Sequence, residues 1–303
     1  MSLELMPLVF IVLAAIMFIL GIPVGLVLGL SGVLGIMYVS GSFASGVGIL
    51  RTLPFNTVAS VSLMVVPMFI LMGEFSLHGN ITAQAYSCLH KWLRKLPGGL
   101  AIANTWACVG FGATSGSSIA ASTVFTKVSL PEMRKLGYND NFACGSIAVS
   151  AINAMLIPPS LLFVVYGMLS AQSISKLFIA GLAPGIILAI TLSLNTALQA
   201  MRNPMLAPRS TISVPWKERF VSLKNLGPIG LLALIIVGGL YTGLFTPAEA
   251  SAIGALAAFI MCLASRSFTR SKLSGSLVET AQITAMLAFI LIGAMGFARF
   301  LAI

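Results

Sequence analysis

The composition of this chain of 303 residues excludes an ordinary soluble protein. Hydrophobic residues make up 58% of it and charged residues only 8%, whereas soluble domains carry about a quarter charged residues. So few charges cannot cover a water-facing surface, and most of the surface is therefore expected to face lipid. The formal net charge of +10 comes mainly from short basic clusters between long apolar runs. This placement is typical of cytoplasmic loops and argues against a nucleic-acid-binding protein.

The first part of the chain predicts three membrane spans and an amphipathic helix. Residues 6–39 are too long for one straight span, which takes about 20 residues, and a turn near Gly21 divides them into two. The third span covers residues 62–77. Residues 80–96 repeat apolar side chains at helical spacing with basic residues between them. This pattern indicates a helix lying in the membrane interface, or alternatively a helix that binds a partner.

A re-entrant hairpin is predicted over residues 98–126. Its flanks, residues 91–95 and 127–135, are both basic, so the hairpin is expected to enter and leave the membrane on the cytoplasmic side. Counting three crossings back from residues 91–95 places the N-terminus in the periplasm. The polar run that interrupts the apolar sequence of the hairpin consists of Thr114, Ser115, Gly116, Ser117 and Ser118.

A broken helix is predicted over residues 142–170, because two consecutive prolines interrupt it. Pro158 and Pro159 lack amide donors and block the helix just before them. A span over residues 177–201 leads back to a basic loop, residues 202–227, expected in the cytoplasm. Further spans are predicted at residues 228–242, at 247–264 and from about residue 277.

The chain is thus expected to be an all-α, polytopic integral membrane protein with inverted-topology repeats, because the order of spans restarts in the opposite orientation near residue 228. The predicted regions are scaffold spans with the interfacial helix over 1–97, a transport region over 98–201, the loop over 202–227 and the start of a second repeat over 228–303. By analogy with the first repeat, the second lacks a hairpin and a broken helix of about 120 residues. Either a fragment or a truncated product is expected.

The hairpin tip and the helix break together predict a binding site. Gly116 permits a tight turn, serine hydroxyl groups supply neutral oxygens, and unwound backbone exposes carbonyl groups. A sodium ion is expected near Ser115, Gly116 and Pro158, and a positive helix end suits a substrate carboxylate. The alternative is a polar kink filled by neighbouring helices. The predicted site residues are Thr114, Ser115, Gly116, Ser117, Ser118, Asn153, Pro158, Pro159 and Ser160.

Acidic residues are absent from the apolar cores of the hairpin and the broken helix, which favours sodium coupling over proton coupling. Glu74 is expected to pair with a basic neighbour near the cytoplasmic end of its span, or to have a functional role. Thr246 and Glu249 are expected to cap a helix. His78 and His90 are predicted to be polar surface residues without ligand partners.

Six motifs carry a resemblance to a known family. They are Val66–Glu74, Phe111–Ala120, Pro131–Met133 with Gly137–Tyr138, Ile157–Ser160, Leu177–Gly181 with Pro184–Gly185, and Thr246–Ala250. In this order and spacing they resemble the large membrane subunit of tripartite ATP-independent periplasmic (TRAP) transporters. The resemblance implies sodium-driven uptake of an organic acid across the bacterial inner membrane by an elevator-like movement. It also implies two partners, a small membrane subunit and a periplasmic solute-binding protein.

Two other functions remain open at this point. A truncated or assembly-only membrane protein would share the same sequence pattern. An intramembrane enzyme would need clustered acids, a metal set or a nucleophile with its base, and neither HExxH nor GxSxG occurs in the sequence. The sequence therefore favours a transporter subunit over an enzyme.

Overall fold

The computed structural model describes residues 6–208, 214–265 and 269–302, and all the regular elements in these ranges are helices. They are α1 (Met6–Ile19), α2 (Val24–Ser40), α3 (Phe43–Val58), α4 (Val61–His78), α5 (Ile81–Leu93), α6 (Gly99–Ser115), α7 (Ser118–Lys135), α8 (Asp140–Ala151), α9 (Asn153–Leu156), α10 (Leu161–Leu169), α11 (Ile174–Arg202), α12 (Trp216–Ser222), α13 (Gly227–Ala233), α14 (Gly239–Tyr241), α15 (Pro247–Ala264) and α16 (Arg270–Leu301). A 3₁₀ turn joins α12 to α13, and a π-helical turn joins α13 to α14. The prediction of an all-α protein is confirmed.

Within the described ranges, five helical segments are long and apolar enough to cross a membrane. They are Val61–His78, Ile174–Arg202, Trp216–Tyr241, Pro247–Ala264 and Arg270–Leu301. The bent pair Asp140–Leu156 with Leu161–Leu169 makes a sixth when its two parts are counted as one span. The apolar segment over residues 6–39 forms two shorter helices of 14 and 17 residues, separated at Gly21 as expected. The structure therefore has the helical content and hydropathy of a polytopic membrane protein.

Three elements differ from the sequence prediction. Helix α3 occupies a stretch rich in Gly and Ser for which no element is predicted, and it continues through Pro54. The predicted loop over residues 202–227 contains α12 and a 3₁₀ turn, while residues 209–213 lie outside the described part of the chain. The second arm of the hairpin, α7, continues to Lys135 rather than ending at residue 126.

One compact unit comprises residues 6–64 and 281–302. In it, α2 packs against α16 through glycines on both helices. A Cβ atom on Gly32 would lie 2.6 Å from the carbonyl carbon of Gly296, and one on Gly25 would lie 2.6 Å from the ring of Phe289. Small residues let helix backbones approach closely, which is the usual basis of helix packing in lipid.

The other compact unit comprises residues 65–280. Helix α6 lies at its centre, where it contacts α5, α7, α8, α9, α11 and α13. Its side chains pack in a hydrophobic core that includes Phe111, Phe125, Met133 and Ile147, each no more than 1% exposed. The first arm of the hairpin is thus held inside protein along nearly its whole length.

Helix α5, the predicted amphipathic helix, packs against α6 and α12. Its buried residues include Ile81, Ala85 and Cys88. The indole nitrogen Nε1 of Trp92 donates a hydrogen bond to the carbonyl oxygen of Arg219, at 3.1 Å. The apolar face of α5 is therefore covered at least in part by other helices of the same unit.

Candidate functional site at the hairpin tip

The turn between the two hairpin helices lies at Gly116. Its φ angle is +60°, in the left-handed region, and its N–H group donates to the carbonyl oxygen of Gly112 at 3.0 Å. Ser117 then caps α7, because its hydroxyl oxygen accepts a hydrogen bond of 3.3 Å from the N–H group of Ala120. The polar run identified in the sequence therefore forms a tight connection between one helix end and the next helix start.

The break in the second helix lies at the paired prolines. The segment Asp140–Leu156 and helix α10 differ in direction by 51°. Ser160 caps α10 by accepting from the N–H group of Phe163 at 3.3 Å, and its hydroxyl group also donates to the carbonyl oxygen of Met155. Unwound backbone thus separates two helical segments, as the prolines predict.

The hairpin tip and the helix break contact each other directly. The N–H group of Leu161 donates to the carbonyl oxygen of Gly116 at 3.4 Å. A Cβ atom on Gly116 would collide with the carbonyl oxygen of Pro159 and lie 3.1 Å from the Cα atom of Ser160. The two irregular segments therefore meet at backbone contact distance.

Helix α4 and segment α9 also approach the hairpin closely near its tip. A Cβ atom on Gly73 would lie 2.9 Å from the Cα atom of Ser115, and one on Gly112 would lie 2.7 Å from the Cα atom of Ala154. The sequence does not predict the close contact between Gly73 and Ser115. Its sequence signal is a glycine within an apolar span, which is common in membrane helices and therefore uninformative by itself.

Most of the predicted site residues are buried at this junction. Thr114, Ser115, Gly116, Asn153, Pro158, Pro159 and Ser160 are buried, and Ser117 and Ser118 are half-buried. Several of their polar groups already have local partners. The hydroxyl group of Thr114 donates to the carbonyl oxygen of Phe111 at 2.9 Å, and Nδ2 of Asn153 donates to that of Ser150 at 3.1 Å. Ser117 and Ser160 serve as helix caps.

Two neutral oxygens at the junction have no hydrogen-bond partner within the described part of the chain. They are Oγ of Ser115 and Oδ1 of Asn153, on side chains of residues that are 5% and 0% exposed. An unsatisfied buried polar atom costs about 1–3 kcal/mol, so native structures rarely leave one without a ligand, water or ion. Ser115 and Asn153 are therefore the predicted site residues with side-chain oxygens available for a cation.

Two buried polar pairs support the hairpin from behind. The hydroxyl group of Ser129 donates to Oδ1 of Asn104 at 2.8 Å, which joins α7 to α6. The hydroxyl groups of Thr105 and Ser150 lie 2.8 Å apart and join α6 to α8. These four residues are not among the sequence predictions, although polar side chains within an apolar helix are a recognised signal of an internal contact.

The two histidines have closer partners than the sequence suggests. His78 lies near Glu74 and Glu279, with a ring nitrogen and carboxylate oxygens within 4.8 Å of one another. The prediction that His78 lacks ligand partners is therefore wrong. His90 is half-buried and stacks on Tyr86 with 6.1 Å between ring centroids. Burial lowers the pKa of His90, and the nearby Arg94 lowers it further.

Comparison with known proteins identifies the family. A family model for the DctM component of tripartite ATP-independent periplasmic transporters matches residues 10–303. The large permease protein of an ectoine/5-hydroxyectoine TRAP transporter from Ruegeria pomeroyi is 36% identical over 236 residues, which are 77% of this chain and 54% of the relative.

Other relatives belong to the same family. The large permease protein of a C4-dicarboxylate TRAP transporter from Pseudomonas aeruginosa is 34% identical over 276 residues, or 90% of this chain and 63% of the relative. That of a 2,3-diketo-L-gulonate TRAP transporter from Escherichia coli is 34% identical over 241 residues, or 79% of this chain and 56% of the relative. The chain thus spans between 54% and 63% of the length of these three relatives. The order of motifs, the helical fold and these matches agree, and the chain belongs to the family of DctM components of tripartite ATP-independent periplasmic transporters.

Proposed function

We propose that the chain acts in the large membrane subunit of a sodium-coupled secondary transporter that imports a small organic acid. A periplasmic solute-binding protein delivers the acid, and a small membrane subunit is the second partner. The protein lies in the bacterial inner membrane with its N-terminus in the periplasm. Family membership supports this proposal, as do the names of relatives that belong to transporters of C4-dicarboxylates and of 2,3-diketo-L-gulonate.

The two unpartnered oxygens of Ser115 and Asn153 are the observation that supports sodium coupling. Hard cations such as sodium prefer oxygen ligands, and neutral oxygens suit a monovalent ion that must also be released. Backbone carbonyl groups of the unwound segment at Pro158 can complete the coordination shell. Both side chains lie on segments that contact each other, since Gly112 and Gly116 pack on Ala154 and Pro159.

The ends of two helices at the same junction support binding of an organic acid. Helix α7 begins at Ser118 and helix α10 begins at Leu161, so both place a positive dipole end near the tip. Some of their first amide groups already have partners, since Ala120 donates to Ser117 and Leu161 donates to Gly116. A carboxylate is the group that such helix ends attract. Sodium and carboxylate would then neutralise each other in one site. Movement of this site with the hairpin would constitute the elevator step.

Sodium-dependent stabilisation of the purified chain tests the proposal. Unfolding in detergent would be compared in sodium, potassium and choline chloride. We expect stabilisation by sodium alone, because a ligand that binds only the folded state shifts the unfolding equilibrium. Ser115→Ala should abolish this sodium effect without lowering stability in choline, since it removes an oxygen that has no protein partner.

A matched control is Ser76→Ala, since the hydroxyl group of Ser76 is also buried but donates to the carbonyl oxygen of Met72 at 2.8 Å. This variant should keep the sodium effect. Equal sodium stabilisation of Ser115→Ala and Ser76→Ala would contradict the site. In proteoliposomes that also contain both partners, uptake of the acid should follow an imposed sodium gradient, and uptake that follows only a proton gradient would contradict sodium coupling.

A further inference from the structure

A second cluster of polar residues lies at the C-terminal end of α4, within the unit of residues 65–280. Glu74 and His78 are four residues apart on this helix, so their side chains project from the same face. Glu279 comes from α16. A ring nitrogen of His78 and one carboxylate oxygen from each glutamate all lie within 4.8 Å of one another. The three side chains therefore converge from two helices that are far apart in the sequence.

The carboxylate of Glu74 is buried and incompletely satisfied. The residue is 8% exposed, and its oxygen Oε2 has no hydrogen-bond partner among the described residues. Nδ1 of His78 lies 3.6 Å from this oxygen and 3.0 Å from the main-chain carbonyl oxygen of Glu74. A second carboxylate, that of Glu279, lies within the same 4.8 Å. Two carboxylates this close repel each other, and buried charges in proteins are normally paired or coordinate a metal.

The immediate surroundings add a polar and a basic group. The hydroxyl oxygen of Ser276 lies 3.2 Å from Nδ1 of His78. The ammonium group of Lys272 donates to the main-chain carbonyl oxygen of His78 at 3.3 Å. A cation bound between the two carboxyl groups would relieve their repulsion, and the imidazole and the hydroxyl group of Ser276 lie within reach as further ligands.

We propose that Glu74, His78 and Glu279 bind a divalent transition-metal ion, for which zinc is the probe. Zinc takes nitrogen and oxygen ligands at about 2.0–2.2 Å, which places adjacent ligand atoms of a tetrahedral site about 3.3 Å apart. The 3.6 Å between Nδ1 of His78 and Oε2 of Glu74 is close to this spacing, and a metal bound by Nδ1 would replace the contact of this nitrogen with the main-chain oxygen of Glu74. An imidazole ligand favours a transition metal over magnesium or calcium, which prefer oxygen ligands alone.

The bound ion would tie the end of α4 to the start of α16. Ser276 Oγ, or a water molecule that it orients, would occupy the fourth position of the coordination shell. The proposal concerns this cluster alone and does not depend on sodium coupling at the hairpin tip. Absence of zinc binding would therefore not contradict the sodium site, and absence of sodium binding would not contradict the zinc site.

Zinc binding to the chelator-treated, detergent-purified chain tests the proposal directly. Titration against a competing zinc indicator should give one saturable site per chain. Glu279→Gln should weaken the apparent affinity at least tenfold, because it removes one charged ligand while its exposed position leaves the fold intact. His78→Asn should have a similar effect. Glu132→Gln is the matched control, since Glu132 pairs with Lys135 on α7, away from the cluster, and its loss should leave the affinity unchanged.

Three results would overturn the proposal. The first is the absence of saturable zinc binding by a chain whose circular dichroism shows native helix content. The second is equal affinity in Glu279→Gln and Glu132→Gln. The third is displacement of zinc by equimolar magnesium, which would indicate nonspecific attraction to carboxylates. If the two glutamates bind protons and no metal, saturable zinc binding will be absent at every pH tested, which is the first of these results.

Discussion

Replacement of Gly116 by alanine should lower the unfolding free energy by more than the backbone cost of a positive φ angle alone. The new Cβ atom would occupy a residue with φ of +60°, which costs about 1–2 kcal/mol for an L-residue. It would also collide with the carbonyl oxygen of Pro159 and lie 3.0 Å from the nitrogen of Leu161. Both obstacles are backbone atoms that cannot rotate away, and overpacking of this kind costs about 1–3 kcal/mol. The expected loss of unfolding free energy is about 2–5 kcal/mol.

Gly41→Ala separates the two contributions. Gly41 ends α2 with φ of +61°, and no atom lies within 4 Å of the position its Cβ atom would take. This variant should lose only the conformational part, about 1–2 kcal/mol. Equilibrium unfolding in mixed detergent micelles, followed by tryptophan fluorescence, measures both variants. Equal destabilisation of the two would refute the contact between the hairpin tip and the helix break.

Two further predictions concern the rest of the unit formed by residues 65–280. Thr246→Ala should lower the unfolding free energy by about 1 kcal/mol, because it removes the cap in which Thr246 and Glu249 bond reciprocally; Thr246→Ser should restore it. Wild-type stability should decline as the pH falls below about 6.5, because His90 has a lowered pKa in the folded state and protonates more readily when unfolded. His90→Gln should lose less stability than wild type between pH 7 and pH 5.5, a range that includes the ordinary histidine pKa of about 6.5. An unchanged decline would contradict this assignment.

The hairpin turn and the helix break could be predicted because their causes are local. Paired prolines interrupt a helix wherever they occur, and Gly116 within a serine-rich run favours a left-handed turn. Capping by Thr246 and Glu249 is also determined within four residues, and the structure confirms it. Each of these signals acts on neighbouring residues and does not require knowledge of the tertiary fold.

Contacts between distant segments could not be predicted in the same way. The partner of Glu74 and His78 is Glu279, about two hundred residues further along the chain, and no periodicity connects them. The same holds for the bond between Asn104 and Ser129, whose partners are fixed only by how α6 and α7 pack. Helix α3 is unpredictable for a related reason, because its sequence is rich in Gly and Ser and tertiary packing overrides intrinsic helix propensity.

The glycine contacts between α2 and α16 have a consequence for biosynthesis. Gly32 and Gly296 lie near opposite ends of the described chain, so the ribosome makes α2 long before its partner. Until α16 enters the bilayer, the glycine face of α2 has only lipid or transient neighbours to cover it. Insertion of the early helices and completion of their packing are therefore separate events in time. The unit to which both glycines belong reaches its final form only after the intervening helices have been translated.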